Sequence, residues 1–270
     1  MVKPHELRSF AVRIADETAK FLRESIDRSD LGTVVKEGYA GDVTRKADLE
    51  AEQLIIELVK ESNLCARIVS EEIGVVDVCK EPRYIVAVDP LDGSLNYINR
   101  VPFASVSIAI ASINEPCLEG IIAGAISSVF YRETYSFDER LAYINEEALV
   151  RREDSNIFTI YSYSLETHRV LKESLGSDIN YRLRILGSMA LELAYVTIGR
   201  ICLAYNDTGK LRNIDIAAGC ALAKRVGLRV CDRKGRDLTI DLRGIQGIES
   251  LIVGPSHLVS KILSFLKLHG

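Results

Sequence analysis

The sequence has no tryptophan, two methionines and only two glutamines, Gln53 and Gln246. Scarcity of heat-labile methionine and glutamine is a trait of thermophilic proteins. Six cysteines are present, but no two stand as a CxxC pair, so a thiolate zinc site and a dithiol redox motif lack support. Cys65, Cys79, Cys117, Cys202, Cys220 and Cys231 are therefore expected as small buried hydrophobes, with an intracellular disulfide left open for a heat-adapted chain. No GxxxxGK[ST] loop occurs, which excludes the P-loop nucleotide hydrolases. No basic run occurs either. With a net charge of -4 and a pI near 5.7, nucleic acid is not the expected partner. An anionic ligand must then be held by local groups. The longest uncharged stretch, residues 101–114, is too short to cross a bilayer. No apolar segment follows Met1–Glu6. The expectation is a soluble, cytoplasmic protein with no membrane partner.

What is present is a chain of 270 residues with 47% hydrophobic content, enough for a large core. Leu7, Phe10, Ala11, Ile14, Phe21, Leu22 and Ile26 recur at helical spacing and predict a helix from Glu6 to about Arg28. Residues 32–41 read as a hairpin or loop, with Lys36 and Tyr39 its distinctive side chains. A second helix is expected over 46–62, with Asp48 in its first turn, where an acid suits the helix dipole. Strands are expected near 66–69, 84–88, 103–112, 117–126 and 134–137. Residues 138–154 are charged and read as a connection between two halves. The second half offers strands near 157–161, 181–186, 201–205, 228 and 251. It also offers helices over 166–174, 188–199, 216–226 and 256–268, with Ser188 as an N-cap and Gly227 as a C-terminal stop. Interleaved helices and strands predict a layered α/β fold.

The sequence is organised around Val88-Asp89-Pro90-Leu91-Asp92-Gly93-Ser94. A β-branched apolar run ends there, in two carboxylates three residues apart on what reads as a turn. Pro90 removes a donor and Gly93 permits a tight backbone. Carboxylates, the Leu91 carbonyl and free N–H groups suit a hard cation carrying a phosphate. The segment alone is also ordinary turn chemistry. Glu71, after a strand, and Asp215, read as capping a helix in competition with Asn213, complete a set of four carboxylates. Such a set repels itself unless protons or cations neutralise it, and two divalent cations suit water attack on a phosphate ester.

Ser70-Glu71-Glu72, Asp89-Pro90-Leu91-Asp92-Gly93-Ser94 and Asp215-Ile216-Ala217-Ala218-Gly219, in this order, resemble the inositol monophosphatase family. Asp42-Val43-Thr44 with Asp48, and residues 186–194, extend the resemblance over nearly the whole chain, and its archaeal branch is the most similar. The resemblance implies an alternating αβαβα sandwich over residues 1–270, with halves of about 1–138 and 139–270, and a homodimer. It implies two or three Mg²⁺: one on Glu71, Asp89 and the Leu91 carbonyl, one on Asp89, Asp92 and Asp215, and a weaker one near Glu71 and Asp48. Ser94, bonded toward Asp48, would orient the attacking water, so Glu71, Asp48 and Ser94 carry the catalytic roles. Asp92, Gly93, Ser94, Arg184, Ser188, Glu192, Lys210 and Asp215 would contact the substrate, a phosphorylated polyol or sugar.

Ile214 stands where the family often has tryptophan, and residues 206–213 also depart from its pattern, which bears on Lys210. The four histidines, His5, His168, His257 and His269, lie outside these motifs, against a phosphohistidine route. The implied activity is hydrolysis of inositol monophosphate and fructose 1,6-bisphosphate. The alternatives are a 3′(2′),5′-bisphosphate nucleotidase on the same centre and a non-catalytic regulatory protein on the same fold.

Overall fold

The structure, a computed structural model, describes residues 2–37, 43–175 and 181–269. Helix α1 (Pro4–Glu24) opens with proline in its first turn, where a missing N–H costs nothing. Glu6 caps it by accepting from Lys3 N at 2.8 Å. It ends four residues before the expected Arg28, at a cap on Ser25. A 3-10 turn, Ser29–Gly32, leads to β1 (Val34–Glu37), which pairs antiparallel with β2 (Val43–Arg45). Within 32–41, residues 34–37 are thus a strand, while residues 38–42, Tyr39 and Asp42 among them, lie outside the described residues. Helix α2 (Lys46–Glu61) follows directly.

The first sheet comprises β3 (Ala66–Ser70), β4 (Gly74–Asp77) and β5 (Tyr84–Asp92), then, after helix α3 (Ser94–Ile98), β6 (Ser105–Ser112) and β7 (Ile121–Ser128). It continues through β8 (Thr134–Phe137), β9 (Ala142–Ile144) and β10 (Glu147–Ala148). The strand order is β10-β9-β8-β7-β6-β5-β3-β4, with β3 and β5 parallel and the other pairs antiparallel. Residues expected as a connection thus add two strands to the sheet edge. The β9–β10 turn uses Asn145 and Glu146 at positive φ, and Glu146 is held by Arg8 of α1 at 2.6 Å. The local charge of 138–154 hid this strand pair, although its strand partners are sequence neighbours.

The second sheet comprises β11 (Ile157–Tyr161), then, after helix α4 (Leu165–Leu175), β12 (Arg182–Arg184). Helix α5 (Met189–Thr197) precedes β13 (Leu203–Asn206). The short β14 (Leu211–Arg212) runs into helix α6 (Asn213–Arg225), and β15 (Arg229–Cys231) follows. β16 (Gly247–Ile248) pairs with β14, and β17 (Leu251–Gly254) leads to helix α7 (Ser256–His269). The order is β12-β11-β13-β17-β15.

Period-two alternation explains the layering. Tyr84, Val86 and Val88 pack with α1 and α2, while Ile85 and Ala87 pack with α5 and α6. In the second sheet Ala204 and Val253 also face α5 and α6, whereas Leu203, Tyr205 and Ile252 face α4 and α7. Five layers result, αβαβα, with α5 and α6 shared between the sheets. Among the described residues no helix is long and apolar enough to cross a membrane. The cysteines divide. Cys202, Cys220 and Cys231 are buried, but Cys65 and Cys79 form a disulfide that closes the open end of the β3–β4 hairpin. Spacing alone gave no sign of it, since the two positions meet only through strand pairing.

The central helices approach closely because α6 carries a glycine at the crossing. A Cβ on Gly219 would lie 2.6 Å from Leu193 Cβ. Alanine would gain about 1 kcal/mol of helix propensity but overpack by about 1–3 kcal/mol. Gly219→Ala should therefore lower the melting temperature by a few degrees in a calorimetric scan, at about 2–4 °C per kcal/mol.

Candidate active site

Parallel strands set the site. β3 and β5 run side by side with Ser70 opposite Val88, so Glu71 emerges beside Asp89. In the second sheet β11 and β13 are parallel, with Tyr161 opposite Asn206. Both pairs end at one cavity of about 520 Å³, which takes Glu71, Asp89, Tyr161 and Asn206 in its wall. Ligands gather at such carboxyl ends of parallel strands.

The turn expected at Asp89–Gly93 is a continuation of β5 with a bulge. Asp89 pairs with Ser107 and Asp92 with Ser105, so three steps on β5 match two on β6. Without the bulge, alternation would put residues 89 and 92 on opposite faces. Pro90, which has no N–H to donate, is tolerated there, and Leu91 N donates back to Asp89 Oδ1 at 3.1 Å. Gly93 sits at φ +90°, with a would-be Cβ 2.9 Å from Gly187 O and 3.1 Å from Phe103 O.

Two helix starts supply two more acids. Asp48 accepts from Arg45 N at 2.9 Å and Asp215 from Arg212 N at 2.8 Å. Each is the third residue of its helix, bonding back to an arginine at the N-cap. Asp215 is thus inside α6, and the cap position belongs to neither Asp215 nor Asn213. Carboxylate oxygens of Glu71, Asp89 and Asp215 lie within 4.8 Å of one another. Asp92 is fixed on its second oxygen: Oδ2 accepts from Ser188 Oγ and from Ala190 N, both at 2.7 Å. Ser188 Oγ in turn shares a 3.0 Å hydrogen bond with Ser105 Oγ.

Arg212 was not singled out by the sequence. Its guanidinium bonds Glu71 through Nη1 and Asp215 through Nε at 3.1 Å. The repeated Arg-x-x-Asp of 45–48 and 212–215 is the one local signal for it. Burial opposes its charge, yet Asp215, Glu71 and Asp89 raise its pKa. Burial likewise pushes the acids upward. Asp89 stands well above the usual carboxylate range, through burial and then Asp92, Glu71 and Asp215. Burial takes Asp92 to about 7, against the Ser188 hydrogen bond. Burial takes Asp215 to about 6, against Arg212. Burial takes Asp48 to about 7, against the Arg45 N–H and with Glu72 and Glu71 adding to it.

Of the expected site residues, Asp48, Glu71, Asp89, Leu91, Asp92, Gly93, Ser94, Lys210 and Asp215 all line the cavity. No hydrogen bond from Ser94 to Asp48 is present among the described residues; Asp48 Oδ2 accepts from Arg45 N at its own helix cap. Three expected substrate contacts lie outside the lining. Arg184 is exposed on β12 and donates to Leu183 O at 2.7 Å. Ser188 is buried behind Asp92. Glu192 is fully buried and accepts from Thr159 Oγ1 at 2.7 Å and Leu186 N at 2.8 Å; burial raises its pKa to about 7. Helix periodicity could not tell that α5 is buried on every side. Ile214 packs in the core and is absent from the cavity wall. Tyr161 and Tyr163 are wall residues the sequence did not flag; Tyr161 Oη accepts from Gly187 N at 2.8 Å, and Lys210 Nζ lies 5.4 Å from the Tyr163 ring.

The five-layer α/β sandwich gathers carboxylates from strand ends and helix starts at one cavity, and the family match places the chain among the phosphatases. The chain belongs to the inositol monophosphatase family, whose model matches residues 3–260. It is 30% identical over 268 residues to the inositol-1-monophosphatase of Aeropyrum pernix, covering 97% of both chains. It is 32% identical over 262 residues to the fructose-1,6-bisphosphatase of Pyrococcus furiosus, covering 96% of this chain and 98% of that one. A solved Pyrococcus horikoshii protein, described as similar to inositol-1 monophosphatase, superposes with a TM-score of 0.79 at 28% identity. That match covers 97% of this chain and 98% of the other.

The raised acids predict a pH dependence. A carboxyl whose pKa is higher in the folded chain binds protons that the unfolded chain releases. Its contribution is complete below the ordinary value of 3.8 and is lost as pH rises through about 6 to 7. With divalent ions chelated, the melting temperature should be lower at pH 8 than at pH 5, and Asp92→Asn should flatten that difference. Equal midpoints for the unaltered chain at the two pH values would contradict the assigned electrostatics.

Proposed function

We propose that this chain is a Mg²⁺-dependent phosphomonoesterase that hydrolyses inositol monophosphate and fructose 1,6-bisphosphate. The observation that carries it is the meeting of Glu71, Asp89 and Asp215 oxygens within 4.8 Å. The donor set fits a hard cation, being oxygen throughout, anionic, and free of histidine and thiolate. Glu71, Asp89 and the Leu91 carbonyl would hold one Mg²⁺. Asp89, Asp92 and Asp215 would hold a second, and Asp48 with Glu71 a weaker third. Bound there, the ions would offset the clustered charge and acidify water at neutral pH.

The chain's own groups do the positioning. Ser188 Oγ and Ala190 N hold one oxygen of Asp92 and leave the other to the cavity. Arg212 balances Glu71 and Asp215 and adds positive charge beside the place for a phosphate. Gly93 and Ser94 bring backbone N–H groups to the wall, and the Ser94 hydroxyl is the candidate for orienting water. Lys210 and Tyr163 stand at the rim as the candidates for a sugar or a second phosphate. The names of the Aeropyrum and Pyrococcus relatives support this substrate class. On family grounds we read the protein as a cytoplasmic homodimer.

A phosphorylated nucleotide is the second reading. It is favoured by the exposed ring of Tyr163 at the cavity, a surface on which a base can stack.

Phosphate release should be measured on inositol 1-phosphate, fructose 1,6-bisphosphate and adenosine 3′,5′-bisphosphate, with Mg²⁺ and with or without lithium. The expected result is turnover of the first two, inhibited by lithium. A tenfold higher kcat/KM on the nucleotide would reverse the order of the readings. Asp92→Asn should cut turnover by on the order of 10²-fold or more while the far-UV spectrum stays native; full activity in that variant would remove the basis of the proposal.

A further inference from the structure

Glu52 stands one helical turn after Asp48 on α2, and it is only 3% exposed. A carboxylate that deep is costly unless its oxygens are occupied. Its Oε1 accepts from Glu72 N at 3.2 Å and from Ile73 N at 3.1 Å. These two N–H groups follow Glu71 directly in the turn between β3 and β4. Glu52 does not itself line the cavity.

The turn needs an anchor. Among the described residues β4 is an edge strand, paired only with β3, and both Ile73 and Val75 are 47% exposed. The disulfide clamps the far end of this hairpin, at Cys65 and Cys79, and does not reach the turn. A second link comes from β2, where Thr44 Oγ1 donates to Glu72 Oε2. The segment that carries Asp48 therefore also grips the turn that carries Glu71.

We propose that Glu52 is a positioning residue for Glu71. By holding two backbone N–H groups it fixes the turn against α2, and so sets how Glu71 meets Asp89, Asp215 and Asp48. It acts by reach and geometry, not by its charge. The inference rests on the cavity being a divalent-cation site.

Two conservative variants separate reach from charge. Glu52→Gln keeps the length and an acceptor oxygen but is neutral. Glu52→Asp keeps the charge but falls short of the turn. Binding of Mn²⁺, used as the probe, is followed by electron paramagnetic resonance without substrate, and the Mg²⁺ concentration for half-maximal phosphate release is measured alongside. Glu52→Asp should weaken Mn²⁺ binding by roughly tenfold, as the loss of outer-shell support does. It should raise the half-maximal Mg²⁺ by a similar factor and leave kcat at saturating Mg²⁺ within about threefold. Glu52→Gln should stay within about threefold of the unaltered chain in every measure. Unchanged Mn²⁺ binding in Glu52→Asp overturns the proposal. So does a loss in Glu52→Gln as large as in Glu52→Asp, since charge would then be the cause. If the unaltered chain binds no Mn²⁺, the phosphatase reading itself has failed, a result distinct from either of these.

Discussion

Repulsion among carboxylates is the constraint on which the rest of the structure depends. Two like unit charges about 4 Å apart repel by roughly 4 kcal/mol near a protein surface. A single hydrogen bond to a charged group returns only about 1.5–3 kcal/mol net. No one donor can therefore hold Glu71, Asp89, Asp92 and Asp215 together. The fold answers with many small terms. α6 directs its N-terminal dipole at Asp215 and α2 does so at Asp48. Arg212 spans two of the acids, and Asp92 takes two donors on one oxygen. Burial first, and then the repulsion that remains uncompensated, push up the pKa of Asp89 and Asp92. That residue of unbalanced charge is what a divalent cation would meet.

The layers explain why the acids can be assembled at all. Glu71, Asp89 and Asp92 come from the first sheet, whereas Asp215 and the donors to Asp92 come from the helices between the sheets. α5 and α6 pack on both sheets and are almost wholly apolar along their buried lengths. The hydrophobic contact that joins the two sheets is thus also what sets the spacing of the charged groups. Gly219 matters for this reason, since it governs how near the two helices stand to each other.

Much of this was legible in the residue order. The layered class follows from the interleaving of helical and strand patterns, and the unbroken apolar runs at 84–88 and 203–205 suit sheets buried on both faces. The stretch from Asp89 to Ser94 stood out because proline and glycine punctuate it. Other features were not legible. The bulge at Pro90, the Cys65–Cys79 bond and the bridge from Arg212 to Glu71 each depend on partners set by pairing register or tertiary packing, not on local pattern, whereas the β9–β10 pair was hidden by its charged composition. Glu192 illustrates the same limit. Acidic and next to a motif, it reads as a contact residue, yet it is enclosed by β11 and the segment before α5.

Gly93 has a consequence for how such a site can change over generations. The atoms that a side chain there would strike are the carbonyl oxygens of Phe103 and Gly187, one from each half of the chain. Replacing neighbouring side chains cannot move those oxygens, so no single compensating substitution opens room at this position. Drift in the centre of the cleft is blocked, and divergence toward new substrates is channelled to its margin, where Leu95, Tyr163 and Lys210 can be exchanged without disturbing a main-chain contact.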